Sequence, residues 1–239
     1  MDSRLRGNDK QIILMKKALI TGSTSELGQT IAELLAQNGY ELYLHYHNQT
    51  DEAKKLAARV GAKKIIKVDL MKKTAVKKMF KEIGRVDALV NGVGGFIYSP
   101  LAKTTVEEFE QCFANNFLTA LYCANAVIPG MRKNRFGRII NFGSVGCDQI
   151  TARPLTTPYY IAKTALLMLT KSLAREETKN GITVNMISPG VLPGGVKPNA
   201  DAPIIPYESV AEAVLFLLNE KNGNVSGGNL DISGGWRPE

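Results

Sequence analysis

The chain is poor in the residues that build cross-links and metal sites. Its three cysteines, Cys112, Cys123 and Cys147, are too few and too oddly numbered for a disulfide framework, so a reducing cytoplasm is expected. Its two histidines, His45 and His47, lie two apart in an apolar run with no cysteine or paired carboxylate nearby. No metal is expected there. No apolar run approaches the ~18–20 residues that span a bilayer, which argues against a membrane protein. The first 14 residues carry charges on both sides of a very short apolar patch, unlike a secretory signal. Glycine (22) and proline (10) show no excess, which argues against collagen-like and low-complexity chains. What is present is ordinary: 239 residues, 44% hydrophobic and 22% charged, enough for one domain with a sizeable core. The net charge of +8 permits acidic or phosphate-rich partners without identifying one.

The hydrophobic pattern alternates between two periods. Short apolar runs fall at 17–21, 41–46, 64–69, 87–91, 138–143, 182–188 and 229–233. Most have apolar side chains at successive positions, as strands buried on both faces do. Helical stretches lie between them; in the first, Leu27, Ile31, Leu34 and Leu35 share one face and Asn38-Gly39 ends it. About seven strands with intervening helices imply repeated βαβ units, hence an α/β, doubly wound parallel sheet in a single domain. Residues 105–132 and 157–180 read as long helices, and Val191–Pro206, with four prolines, reads as a surface loop. Residues 1–14 lack pattern and are expected to be a disordered tail, with the domain over 15–239; the segment MKKALITGS from Met15 reads as a natural start. Eight lysines crowd residues 63–81, where Val76, Met79, Phe80 and Ile83 mark the buried side of a helix. A solvated lysine face is the simplest reading. No motif or interleaved aromatics suggest nucleic acid.

The segment Thr21-Gly22-Ser23-Thr24-Ser25-Glu26-Leu27-Gly28 follows the first strand and opens the first helix. Backbone N–H groups and the positive helix end at such a turn seat a pyrophosphate, and glycine lets the backbone come close. The hydroxyls of Ser23, Thr24 and Ser25 can cap the helix or donate to phosphate; a plain capped strand-to-helix turn would look similar. Sites that bind NAD place an acid at the end of the second strand. Here that position reads His45-Tyr46-His47-Asn48-Gln49-Thr50, with no acid before Asp51, which favours NADPH with His47 and Asn48 nearest the 2′-phosphate.

Further along, Tyr159 and Lys163 stand at i, i+4 and share a helical face. Free tyrosine titrates near ~10, and a neighbouring cation lowers that value toward the range of a useful proton donor. Tyr160 has Thr164 at its i+4 position and is not expected in this role. Ser144 ends the fifth strand, at the carboxyl edge where doubly wound sheets place their sites, and its hydroxyl can steady a developing alkoxide. Asn115 and Asn116 sit inside an apolar-striped helix, where amides are costly without partners.

Together these segments resemble the short-chain dehydrogenase/reductase family over Lys16–Gly235, closest to 3-oxoacyl-carrier-protein reductase-like members, which include the ending Val225–Gly235 (VSGGNLDISGG). The resemblance implies a Rossmann-type fold and an NAD(P)H-dependent oxidoreductase that reduces a ketone or aldehyde by hydride transfer, with a 3-oxoacyl thioester as one substrate. It assigns Asn116, Ser144, Tyr159 and Lys163 to catalysis: Tyr159 gives the proton, Lys163 tunes it and binds the nicotinamide ribose, Ser144 orients the carbonyl and Asn116 holds a relay water. It assigns the cofactor shell to Gly22, Ser23, Thr24, Ser25, Leu27, Gly28, His47, Asn48, Asp69, Leu70, Asn91, Val93, Gly94, Tyr159, Lys163, Pro189 and Gly190. Two departures stand out. Glu26 replaces the middle glycine of the family's TGxxxGxG turn, and the loop before Glu208 is shortened, which implies a more open pocket. A pteridine reductase-like enzyme and a non-catalytic nucleotide sensor on the same fold are the alternatives. A homotetramer or homodimer is implied through helices 105–132 and 157–180, and Trp236 is a candidate for a subunit contact.

Overall fold

The computed structural model describes residues 16–197 and 199–238. The expected tail over 1–14 lies outside them. Seven parallel strands form one sheet: β1 (Lys17–Thr21), β2 (Glu41–Tyr46), β3 (Lys64–Lys67), β4 (Ala88–Asn91), β5 (Gly137–Phe142), β6 (Ile182–Pro189) and β7 (Asn229–Ile232). Their order is β3-β2-β1-β4-β5-β6-β7. The chain runs outward from β1 to β3, then crosses back to lay β4 on the other side of β1, pairing Thr21 with Asn91. The carboxyl ends of β1 and β4 thus diverge at a switch point, where such sheets open a crevice.

Successive residues along the strands feed opposite cores, as the two-residue period of a pleated strand requires. Ala18 and Ile20 of β1, with Ala88 and Val90 of β4, pack under α1 (Glu26–Gln37) and α7 (Tyr207–Leu218); α2 (Thr50–Val60) adds Leu56 to the same side. Leu19 and Leu89 point the other way, to α3 (Lys73–Ile83) and α5 (Thr119–Asn134), against Met79, Phe80, Val127 and Met131. The apolar runs lack polar alternation because both faces of the sheet are covered. In α3 the buried residues are Val76, Met79, Phe80 and Ile83, and the lysines face outward.

One expectation about the helices changes. The stretch read as a single helix over 105–132 is broken into α4 (Val106–Phe113), a five-residue π turn (Ala114–Leu118) and α5. Local side chains explain the widening. Asn116 Nδ2 donates to the Cys112 carbonyl at 2.8 Å, and Thr119 Oγ1 donates to the Asn115 carbonyl at 2.6 Å, so side chains compete with amides for those acceptors. The next helix, α6, spans Thr157–Glu177 with Pro158 in its first turn. The described residues between 191 and 206 form the expected loop, with a parallel bridge between Val191 and Ile204.

Candidate active site

Close backbone approaches shape the glycine turn. Gly22 takes φ 65°, and a Cβ there would stand 3.0 Å from the Gly92 carbonyl oxygen, so the turn after β1 lies against the turn after β4. A Cβ on Gly28 would stand 2.7 Å from the Gly22 carbonyl oxygen, which lets α1 begin directly over the turn. Ser25 caps α1, its hydroxyl accepting from Gly28 N–H at 3.1 Å. Ser23 is fully buried and donates to the His45 carbonyl at 3.0 Å. Two of the three expected hydroxyls therefore shape the turn, and Thr24 keeps the free one. The amides of Glu26 and Leu27 open the helix, where no earlier turn supplies acceptors for them. This cradle fits a dinucleotide diphosphate.

His45 is a part of this turn that the sequence reading passed over. Its Nδ1 accepts from Gly22 N–H at 3.2 Å and its Nε2 lies 2.9 Å from the Val68 carbonyl, so the ring is neutral with the proton on Nε2. Burial pulls its pKa down to about 4. The only sequence signal was a polar residue in an otherwise apolar strand. His47 and Asn48 are exposed just past β2, and Asp69 accepts from Met71 N–H at 3.0 Å while Leu70 is buried beside it. Asn91 donates its amide to Asn141 at 2.8 Å, inside the sheet. Its Oδ1 has no protein partner. Val93 and Gly94 follow on the open side, and Pro189-Gly190 is fixed across the crevice through Val145 N–H to the Pro189 carbonyl (3.1 Å) and Gly190 N–H to the Ile232 carbonyl (2.9 Å).

The structure brings the four expected catalytic side chains together at the carboxyl edge of β4 and β5. Lys163 is only 5% exposed; its ammonium donates to the Phe142 carbonyl at 2.7 Å and lies 5.4 Å from the centre of the Tyr159 ring. Burial lowers its pKa to about 8. Asn116 is 1% exposed, and the π turn aims its Nδ2 at the Gly95 carbonyl, 2.7 Å away, as well as at Cys112. Its Oδ1 has no protein partner. A methyl on Gly94 would stand 2.7 Å from that oxygen and 3.7 Å from the Lys163 ammonium, so the two groups face one small space that only glycine leaves open. An acceptor and a cation across such a space suit a bridging water.

Tyr159 departs from expectation in one respect. Burial pushes its pKa up rather than down; the hydrogen bond with Ser144 opposes this, while Lys163 spends its charge on the Phe142 carbonyl. The phenol is thereby held protonated, the form a proton donor needs. Ser144 also meets Tyr160, whose hydroxyl lies 3.4 Å from Ser144 Oγ and donates to the Val145 carbonyl at 3.0 Å. Tyr160 thus belongs to the site as a support, with its proton committed to the backbone. Cys147 is fully buried beside Met186 and Ser188.

A pocket of about 430 Å³ opens in front of Ser144 and Tyr159. Phe96, Tyr98, Val191, Leu192 and Trp236 give it a largely apolar wall. Phe96 meets the Tyr159 ring edge-on at 4.9 Å between centres. Trp236 therefore faces the pocket. Among the described residues no group of three His, Cys, Asp or Glu side chains is placed to hold a metal, and no helix is long and apolar enough to cross a membrane.

Comparison with known proteins agrees with this arrangement. The family model described as short chain dehydrogenase matches residues 16–202. The 3-oxoacyl-acyl-carrier-protein reductase FabG of Haemophilus influenzae is 31% identical over 92% of this chain and 97% of its own length. The uncharacterized oxidoreductase YohF of Escherichia coli is 31% identical over 92% of this chain and 94% of its own length. The crystal structure of acetoin dehydrogenase YohF from Salmonella typhimurium superposes with a TM-score of 0.80 at 30% identity, covering 93% of this chain and 96% of that one. The class is a Rossmann-like oxidoreductase fold. Within it, the chain belongs to the short-chain dehydrogenase/reductase family.

Proposed function

We propose that the protein reduces a ketone or aldehyde carbonyl with NADPH, Tyr159 serving as the general acid. The observation that supports this most is the convergence of Asn116, Ser144, Tyr159 and Lys163 beside a glycine turn shaped for a diphosphate. A bound nicotinamide would supply the hydride. The turn from Gly22 to Gly28 would hold the diphosphate on backbone amides. Lys163 would reach the nicotinamide ribose, and Pro189-Gly190 would back the ring. Ser144 orients the carbonyl oxygen and donates to it as negative charge develops. Tyr159 hands its phenolic proton to that oxygen, and the space between Lys163 and Asn116 would hold a water that restores it.

His47 and Asn48, exposed after β2 with no acid before Asp51 in the chain, support NADPH over NADH. The apolar wall of the pocket suits a carbonyl carried on an apolar body, and a 3-oxoacyl thioester is the version that the FabG relatives suggest. The test is NADPH oxidation with thioester, quinone, pterin and sugar carbonyls. Turnover with at least one is expected, and Tyr159→Phe is expected to lower it by about 10³-fold or more while dinucleotide binding persists. A Tyr159→Phe variant working near the wild-type rate would refute the assignment, and binding without turnover across the panel would favour a nucleotide sensor.

A further inference from the structure

Glu26 stands where the glycine turn would otherwise carry glycine, at the first residue of α1 and beside the amides that seat a diphosphate. A free carboxylate there would repel the phosphates. It is not free. Its Oε2 lies 2.6 Å from the hydroxyl of Tyr207, the first residue of α7, and that hydroxyl also lies 2.9 Å from the Pro193 carbonyl oxygen. The helices α1 and α7 pack side by side under the same face of the sheet, so both amino ends open on one edge. Tyr207 is therefore fixed by the packing of α7 and not by the turn it touches.

We propose that Tyr207 is a positioning residue for the dinucleotide: its hydroxyl draws the Glu26 carboxylate away from the diphosphate seat. The inference rests on the reading of the turn as a dinucleotide site. Three observations carry it. The Tyr207 hydroxyl is a phenol whose pKa is pushed up to about 12 by burial and by the hydrogen bond and charge of Glu26, so it stays a donor over the working pH range. Its second neighbour, Pro193, adjoins Leu192, a wall residue of the pocket, so one hydroxyl meets both the phosphate turn and the pocket rim. And among the described residues Glu26 makes no ion pair, so the Tyr207 hydroxyl is what restrains its side chain.

The test is the NADPH dissociation constant, read by fluorescence, for four forms: wild type, Tyr207→Phe, Glu26→Gln and the double variant. Loss of the hydroxyl releases a charged Glu26, so Tyr207→Phe should bind about five- to tenfold more weakly at low ionic strength, and the deficit should shrink as salt rises. Glu26→Gln keeps the size and removes the charge, so it should bind at least as tightly as wild type. The double variant should match Glu26→Gln, recovering what Tyr207→Phe lost. A double variant as weak as Tyr207→Phe would overturn the proposal, since a merely structural tyrosine is not rescued by neutralising a carboxylate. An unchanged Tyr207→Phe would overturn it as well. Failure of the wild type itself to bind any nicotinamide dinucleotide would overturn both this inference and the reading it rests on, and so tells the two failures apart.

Discussion

Lys163 holds a charge in a place that resists charge. Its ammonium has one carbonyl for company and is otherwise buried, which is why its pKa falls from 10.5 to about 8. Because the folded value lies below the unfolded one, the fold carries the full penalty below about pH 8 and sheds it as pH rises to 10.5. Lys163→Met is therefore expected to be inactive yet more stable near pH 7, by about 1–3 kcal/mol, with the advantage fading above pH 8. Urea unfolding at pH 7 and pH 10 checks this, and a variant less stable than wild type at pH 7 would contradict it. The same residue shows where the sequence reading stops. The i, i+4 spacing was enough to place Lys163 beside Tyr159, but the direction of the tyrosine shift depends on depth and on the Phe142 carbonyl, neither of which a linear pattern carries.

At the scale of the element, β2 does more than fill the sheet. Its His45 joins the turn after β1 to the segment after β3, through Gly22 N–H and the Val68 carbonyl. Protonation would put a second hydrogen opposite Gly22 N–H. With a folded pKa of about 4 against an ordinary 6.5, the ring's contribution is intact above pH 6.5 and is lost as pH falls through that window to 4. Wild type should lose about 3 kcal/mol of stability across this range from His45 alone, and His45→Gln should flatten the curve. Denaturation midpoints between pH 7 and pH 4 measure it; equal slopes for the two proteins would sink the idea. Strand positions were legible because apolar runs buried on both faces leave a strong mark; the bounds of β1 and β2 match the apolar runs, while β3 stops at Lys67 before Asp69. The π turn was not legible as a shape. The sequence showed only two amides that needed partners, and finding Gly95 as one of them requires the chain to fold back from β4.

Considered as a whole, the molecule leaves part of its apolar surface uncovered. Ile161 and Met168 lie seven residues apart on α6, and Met168 and Val106 of α4 are each 69% exposed. We propose that a second copy of the chain covers these side chains, in a homotetramer or homodimer assembled through α4 and α6. Met168→Glu is expected to shift the protein toward smaller species in sedimentation velocity while leaving the monomer fold intact. A sedimentation profile identical to wild type would argue that α6 is not a contact. The excess charge has a plainer account. The lysines of α3 line the side of the helix away from its buried stripe and are exposed, so they serve as solvated surface.

Trp236 is the only tryptophan in the chain, and it lines the pocket. Indole emission from this protein thus arises from a single position, on the wall of the pocket in front of Ser144 and Tyr159. The molecule thus carries its own optical reporter of that pocket: a compound that binds there is expected to change indole emission, by quenching or wavelength shift, before any chemistry occurs.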